Sequence, residues 1–148
     1  ISILIILVIL FGLIVLIVNK GKTSNYNIQD SIDESNNETT IFYNTNDGIV
    51  SDKEVSGIAF TDIRFMSDGG ETWIYLNITN KNDTSVILNQ FLVNIYGNTG
   101  TNIGILAPLF NKKLLPGETY NDFKFGIDID YSKAISIEFE LPNMEFVD

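Results

Sequence analysis

The sequence predicts an all-β fold, a two-sheet antiparallel sandwich, preceded by a single N-terminal transmembrane helix. Three observations support this prediction. The first 18 of the 148 residues carry no charge, and a polar stretch rich in Asn, Ser and Thr follows them. From residue 56 onward, apolar residues recur with a period of two and are interrupted by turn residues. The predicted boundaries are a transmembrane helix over 1–18, a flexible polar linker over 19–55 and the sandwich over 56–148.

The apolar stretch over 1–18, ISILIILVILFGLIVLIV, has Ser2 as its only polar side chain. As a helix it extends about 27 Å at about 1.5 Å per residue, close to the ~30 Å hydrocarbon core of a bilayer. A helix also satisfies its own backbone hydrogen bonds in lipid. Lys20 and Lys22 follow it and can place their ammonium groups among the headgroups. We therefore expect the lipid bilayer to be the partner of residues 1–18 in a single-pass membrane protein.

Two other interpretations of residues 1–18 remain open. A cleaved signal peptide usually has a shorter apolar region, about 7–15 residues, followed by a small-residue cleavage site. A pilin-type assembly helix would make the protein a structural subunit of a surface filament. Lys20 and Lys22 favour a cytoplasmic C-terminal side. An N-terminal anchor before a strand-rich domain is nevertheless commoner at cell surfaces, and we expect the C-terminal domain to be extracellular.

The linker over 19–55 has few apolar residues and no sustained period. Little burial is then available to offset the entropy of ordering, which is typical of a flexible tether. A coil of about 35 residues has a reach of roughly 30–35 Å. Residues 41–43, Ile-Phe-Tyr, are the exception, because they could form a short strand on the domain or remain an apolar patch in the tether.

Alternating apolar residues predict six strands in the remainder of the chain. They cover residues 56–66, 72–79, 86–96, 103–106, 120–129 and 134–141. The apolar residues expected to face the core include Ile74, Leu76, Ile78, Phe91, Val93, Ile95, Phe123, Phe125, Ile127, Ile129, Ile135, Ile137, Phe139 and Leu141. Six or seven strands without a helical period favour an immunoglobulin-like sandwich, with a barrel as the alternative.

Turn residues separate these strands. Ser-Asp-Gly-Gly over 67–70 and Gly-Asn-Thr-Gly over 97–100 predict tight connections, since Gly and Asn accept positive φ. Leu-Pro-Gly-Glu over 115–118 predicts a turn in which Pro presets φ. Within the strand over 56–66 the apolar face changes at Thr61 and Asp62, which predicts a β-bulge.

The order of these segments resembles a known group of surface modules. LNITNK over 76–81 is followed by FLVNIYG over 91–97, by LLPGET over 114–119 and then by Phe123. This order resembles the membrane-anchored immunoglobulin-like surface domains of Gram-positive bacteria and archaea, including FxLYD-type domains. The resemblance covers about residues 74–141. It implies an immunoglobulin-like fold, and it assigns no functional residues.

Composition excludes several classes of function. The net charge is −10, and a domain this acidic lacks the basic face that nucleic acid requires. The chain has no cysteine and no histidine, which excludes disulfides, thiolate and imidazole metal sites and histidine-dependent triads. No phosphate-binding or dinucleotide-binding motif is present. We therefore predict no catalytic residue, no metal site and no cofactor, in a protein that is not an enzyme.

Trp73 and Tyr75 are the candidate partner-binding residues, because both lie on the face opposite the apolar residues of their strand. They could form a stacking platform for sugars, or they could pack beneath the tether. Asp128 and Asp130 share one strand face and could bind calcium together with Asp83, although alternating solvent positions are the simpler interpretation. The predicted function is a non-catalytic extracellular module that mediates interaction or spacing at the cell surface. A surface protein or a cell-wall glycan is the expected partner.

Overall fold

The computed structural model describes residues 41–148 of the chain. These residues form strands β1 to β11 and one short helix, α1, joined by turns and loops. In chain order they are β1 (Phe42–Asn44), α1 (Asp47–Val50), β2 (Lys53–Val55), β3 (Ile58–Ser67), β4 (Thr72–Asn80), β5 (Ser85–Gln90), β6 (Leu92–Tyr96), β7 (Asn102–Leu106), β8 (Leu109–Leu114), β9 (Thr119–Ile127), β10 (Ser136–Glu140) and β11 (Met144–Val147). This confirms the all-β class. The helix predicted over 1–18 lies outside the described residues. Between residues 41 and 148, no helix has the length and apolar character needed to cross a membrane.

The first layer is a five-stranded antiparallel sheet in the order β1-β3-β4-β9, with β2 also paired to β3. The β3–β4 pairing shifts register between Thr61 and Arg64, and Asp62 has a φ of 51°. The predicted bulge is therefore confirmed. Beyond it the same strand presents Ile63 and Phe65 to the core, so the bulge allows both halves of β3 to bury apolar side chains.

The second layer consists of two three-stranded antiparallel sheets, β10-β6-β7 and β11-β5-β8. Phe91 alone separates β5 from β6, so the strand predicted over 86–96 runs through both sheets. The pairing of β5 with β8 shifts register between Leu88 and Gln90. The sequence did not predict β8 or β11.

An aromatic core joins the first sheet to the second layer. The Phe60 ring on β3 stacks on the Phe139 ring on β10, with centroids 3.9 Å apart and planes 6° apart. Phe91 contacts Phe60 and meets Phe125 edge-on. Burying one such side chain contributes roughly 1.5–3 kcal/mol. Ile129, predicted to face the core, is 45% exposed, because β9 ends two residues earlier.

Residues 41–55 belong to the folded unit, which begins at Ile41 rather than at Ser56. Both β1 and β2 pair with β3. Ile49 of α1 is fully buried, and the Asn44 side chain donates to the carbonyls of Ser132 and Ala134 at 3.2 and 2.7 Å. These elements are too short to show a period in the sequence, and tertiary contacts hold them. The linker predicted over 19–55 therefore includes a folded part, and residues 19–40 lie outside the described region.

Candidate functional site

Trp73 and Tyr75 lie on the outer face of the first sheet, as the sequence predicts. Alternation along β4 places them there, because Ile74 and Leu76 between and beyond them are fully buried. Both aromatic side chains are half-buried rather than fully covered. Sheet register determines their neighbours. Trp73 lies between Met66 and Gly126, and Tyr75 lies between Arg64 and Lys124.

The Trp73 indole rests on the backbone of the neighbouring strand. A Cβ at Gly126 would lie 2.4 Å from Trp73 Cε3, so glycine is required for the ring to occupy this position. The indole Nε1 donates a hydrogen bond of 2.9 Å to the Glu71 carboxylate. These two contacts hold the ring in a defined orientation on the face of the sheet.

Two cations lie over the aromatic rings. Lys124 Nζ is 4.1 Å from the Trp73 ring centre and 5.3 Å from that of Tyr75. Arg64 Cζ is 5.0 Å from the Tyr75 ring centre. A cation over an aromatic face at an exposed site contributes about 0.5–1 kcal/mol. We call Trp73, Tyr75, Arg64 and Lys124 the aromatic–cationic strip.

The strip brings two cations and two neighbouring carboxylates together on an acidic protein. Arg64 makes an ion pair with Asp122, which neutralises its charge. Within residues 41–148, Lys124 makes no ion pair, and its ammonium group lies over the rings of Trp73 and Tyr75. The sequence pattern did not identify Arg64 or Lys124 as members of the site. Their placement beside Tyr75 depends on the register of three strands, which local alternation does not specify.

The structure does not bring Asp83, Asp128 and Asp130, the aspartates considered for calcium binding, together in one site. Asp130 Oδ1 accepts hydrogen bonds from the Ser132 backbone N–H at 2.8 Å and the Ser67 hydroxyl at 2.7 Å, and these bonds lower the pKa of Asp130. Asp128 is exposed, and Asp83 follows the opposite end of β4. In residues 41–148, no three acidic side chains are grouped so as to hold a metal ion. Asp130 thus fixes a loop by accepting its hydrogen bonds.

The outer face of the second layer carries a polar ladder that the sequence analysis did not identify. Tyr96 Oη donates to Glu138 at 3.1 Å, and this hydrogen bond raises the pKa of Tyr96. Asn94 Nδ2 donates to Glu140 at 2.6 Å, and Asn102 Nδ2 donates to Asn94 at 3.2 Å. Each carboxylate is therefore held by a donor from the adjacent strand.

A small cleft lies between the β7–β8 corner and β9. Its volume is about 170 Å³, below the ~300 Å³ at which ligand pockets usually begin. None of its lining side chains is titratable or carries a hydroxyl or amide group. They are Ile105, Leu106, Ala107, Pro108, Phe125, Gly126 and Ile127. Its lining side chains therefore supply no group for acid–base chemistry.

Comparison with known proteins identifies no family for this chain. No family model matches it, and no curated protein matches it. Among solved structures, the Salmonella enterica trimeric lipoprotein SadB aligns with 94% of this chain and 80% of its own, at 13% identity and a TM-score of 0.40. A likeness at this level carries no conclusion about fold or function.

Proposed function

We propose that the protein is a membrane-anchored extracellular module that binds a partner through the aromatic–cationic strip and catalyses no reaction. The observation that supports this most directly is the position of Lys124 over both Trp73 and Tyr75 on an open sheet face. Trp, Tyr and Arg are the residues most enriched at binding hot spots, and the strip contains all three. Their half-buried state leaves part of each ring available for contact.

The charge of the strip indicates the chemistry of its partner. Lys124, which makes no ion pair within residues 41–148, favours anionic groups, and the two rings favour flat apolar or amphipathic surface. A surface protein or a cell-wall glycan carrying acidic groups would satisfy both. The chain as a whole has a net charge of −10, so its acidic faces would repel the same partner and confine binding to the strip.

The proposal also includes a membrane anchor and an immunoglobulin-like fold. In this proposal the apolar stretch over 1–18 is the membrane anchor, and residues 41–148 lie outside the membrane. Two antiparallel layers packed through Phe60, Phe91 and Phe139 support an immunoglobulin-like sandwich. The resemblance to FxLYD-type surface domains supports the same arrangement. Protease treatment of intact cells expressing a C-terminal tag tests it, because tag loss from membrane-bound protein is expected and full protection would contradict it.

The non-catalytic role is supported by how the polar groups are used. Glu138, Glu140 and Asp130 each accept hydrogen bonds from neighbouring side chains or backbone, and no titratable side chain lines the described cleft. Hydrolysis by a carboxylate pair requires two acids that flank a cleft. A filament subunit remains the alternative function. It requires a contact between copies, for which the second layer offers a candidate considered below.

Binding by the full-length protein in lipid nanodiscs tests the strip. The probes are purified acidic cell-wall glycan and a surface-protein extract, each immobilised separately. We expect the Trp73→Ala/Tyr75→Ala variant to lose at least about tenfold in affinity, equivalent to about 1.4 kcal/mol. Tyr96→Ala is the matched control, since Tyr96 is also half-buried on an outer face but belongs to the second layer. Equal affinity of both variants for the bound probe, or no binding to either probe, would reject the proposal.

A further inference from the structure

We propose that copies of this chain associate side by side through the second layer, with the β11 edge of one copy against the β8 edge of the next. In the sheet β11-β5-β8 these two strands are outermost. Within the described residues, no other strand pairs with the outer side of either. Unpaired edges carry free backbone donors and acceptors that another strand can satisfy. This inference goes beyond partner binding, because the aromatic–cationic strip lies on the other layer.

The two edges carry opposite charge on the same face. Glu145 of β11 is opposite Ile87 of β5, and Ile87 is opposite Lys113 of β8. Cross-strand neighbours point to the same side of a sheet. Glu145, Ile87 and Lys113 therefore form one row on the same face, with Glu145 at one edge and Lys113 at the other. Both side chains are exposed. If the sheet continues into a second copy, Glu145 of one copy meets Lys113 of the next at the spacing of neighbouring strands, about 4.8 Å.

Both edges also expose large apolar side chains. Phe146 on β11 is 60% exposed. Leu109 begins β8 and is 67% exposed, and Leu115 directly follows β8 and is 55% exposed. A contact between unlike edges would cover apolar groups from both copies together with the charged pair. The contact thus combines the three features of a strand-addition interface: backbone groups, apolar cover and opposite charge.

Charge selects unlike edges over like ones. If two β8 edges paired, Lys112 and Lys113 of one copy would face the same lysines of the other copy. If two β11 edges paired, Glu145 of one copy would face Glu145 of the other. Like charges directly opposite each other destabilise strand pairs. Both β8 and β11 run antiparallel to β5, so they point in the same direction and an unlike pairing is parallel. Such a contact is head to tail, which builds a ring or an open row of copies rather than a closed dimer.

The contact is short and therefore weak in dilute solution. Asn111 has a φ of 50°, which interrupts β8 and leaves the segment from Lys112 to Leu114 for pairing. Membrane anchoring compensates for this, because confinement to one surface raises the effective concentration of neighbouring copies. We therefore expect association in the membrane at densities where the detergent-dispersed protein is monomeric.

Disulfide cross-linking in membranes of cells expressing the full chain tests the contact. The chain has no cysteine, so introduced pairs report without background. Under mild oxidation, K113C/E145C should form a ladder of dimers, trimers and larger species, at least about tenfold above the K53C/D83C control for random collision. K113C alone and E145C alone should remain monomeric. A K113C/E145C sample that stays monomeric, as it would if another segment of the same chain covers β11, overturns the proposal.

Charge reversal gives a second, independent readout. For this experiment the cysteines are placed at Leu115 and Val147, beside the charged positions rather than on them. Adding K113E or E145K should reduce the ladder of L115C/V147C about tenfold, and adding both should restore it. Adding K53E, on the opposite layer, should leave the ladder unchanged. Dimers from either single-cysteine variant, or failure of the double reversal to restore the ladder, would overturn pairing of unlike edges. Neither result bears on binding through Trp73 and Tyr75.

Discussion

The outer faces of the two layers each carry a tyrosine at an alternating strand position, but the charged groups beside the two tyrosines differ. On the first sheet, Tyr75 lies between Arg64 and Lys124 and contacts their cationic groups. On the second layer, Tyr96 donates its hydroxyl hydrogen to Glu138. Each tyrosine sits on a half-buried outer position of a strand. Their neighbours across the sheet differ: Tyr75 lies beside two cations, of which Arg64 is paired with Asp122, whereas Tyr96 lies beside a carboxylate.

The two faces also differ in how completely their polar groups are used. The second-layer ladder joins Asn102 to Asn94 and Asn94 to Glu140, so each group is occupied by a neighbour. Lys124 on the first sheet has aromatic rings as partners, and these leave its ammonium donors free for an incoming acceptor. This contrast is the physical reason for proposing that a partner binds on the first sheet. The variants below alter one face at a time.

The largest effect is expected from Gly126→Ala on the first sheet. The new Cβ would lie 2.4 Å from Trp73 Cε3 and 2.8 Å from the Thr72 carbonyl oxygen, so the indole must leave its position. Overpacking of this kind costs about 1–3 kcal/mol. Urea denaturation followed by Trp73 fluorescence measures the loss, since Trp73 is the only tryptophan in the chain.

Gly70→Ala is the matched control for that substitution. The nearest atom to a Cβ at Gly70 is Asp68 Oδ1 at 4.0 Å, and its backbone does not require positive φ. We expect Gly70→Ala to change the free energy of unfolding by less than about 0.5 kcal/mol. If both variants are equally stable, the indole does not rest on Gly126, and the geometry of the aromatic–cationic strip is wrong.

A smaller effect is expected from Lys124→Gln, which removes the ammonium group above Trp73 and Tyr75. The loss in the free energy of unfolding should be about 0.5–1 kcal/mol, the usual size of an exposed cation–π contact. The Trp73 emission spectrum should change as well, because a charge 4.1 Å from the ring is removed.

Lys112→Gln is the control that distinguishes the effect of Lys124 on Trp73 emission from the effect of losing any one positive charge. Lys112 lies 5.7 Å from the Tyr120 ring centre, so it also contacts an aromatic ring, but not Trp73. Its removal should leave Trp73 emission unchanged. Equal spectra for Lys124→Gln and the unmodified protein would show that Lys124 does not cover the indole in solution.

Local alternation was sufficient to predict much of this fold. It correctly separated Trp73 and Tyr75 from Ile74 and Leu76, and it located the bulge at Asp62. These features depend on side-chain period and chain direction over a few residues. The turn over 97–100 was equally local, and it closes through a hydrogen bond from the Gly100 N–H to the Gly97 carbonyl.

Features that depend on pairing between distant strands were not predictable from the sequence. In β8, Asn111, Lys112 and Lys113 stand in the middle of the strand, and positive φ at Asn111 breaks its alternation. The pairing of Glu71 with Trp73 is local, but the contact of Lys124 with the same ring requires the β4–β9 register. The candidate aromatics were therefore identified from the sequence, whereas the charge around them emerged only from the fold.

The smallest effect is expected from Glu138→Gln on the second layer, and it depends on pH. The hydrogen bond to Glu138 raises the pKa of Tyr96 above its ordinary value near 10. A group whose pKa is higher in the folded state stabilises the fold fully below its unfolded pKa, and loses that contribution as the pH rises through its folded pKa. The stabilising contribution of Tyr96 should therefore be present at neutral pH and decline above about pH 10.

Replacing the carboxylate removes both the charged acceptor and its repulsion of the phenolate, so Glu138→Gln should lower the pKa of Tyr96. An NMR titration of the Tyr96 ring resonances measures the shift directly. The same substitution should not move the Tyr75 resonances, because Tyr75 lies on the other layer beside Arg64 and Lys124. An unchanged Tyr96 titration would mean that the polar ladder does not hold this tyrosine, and the contrast between the two faces would then rest on the first sheet alone.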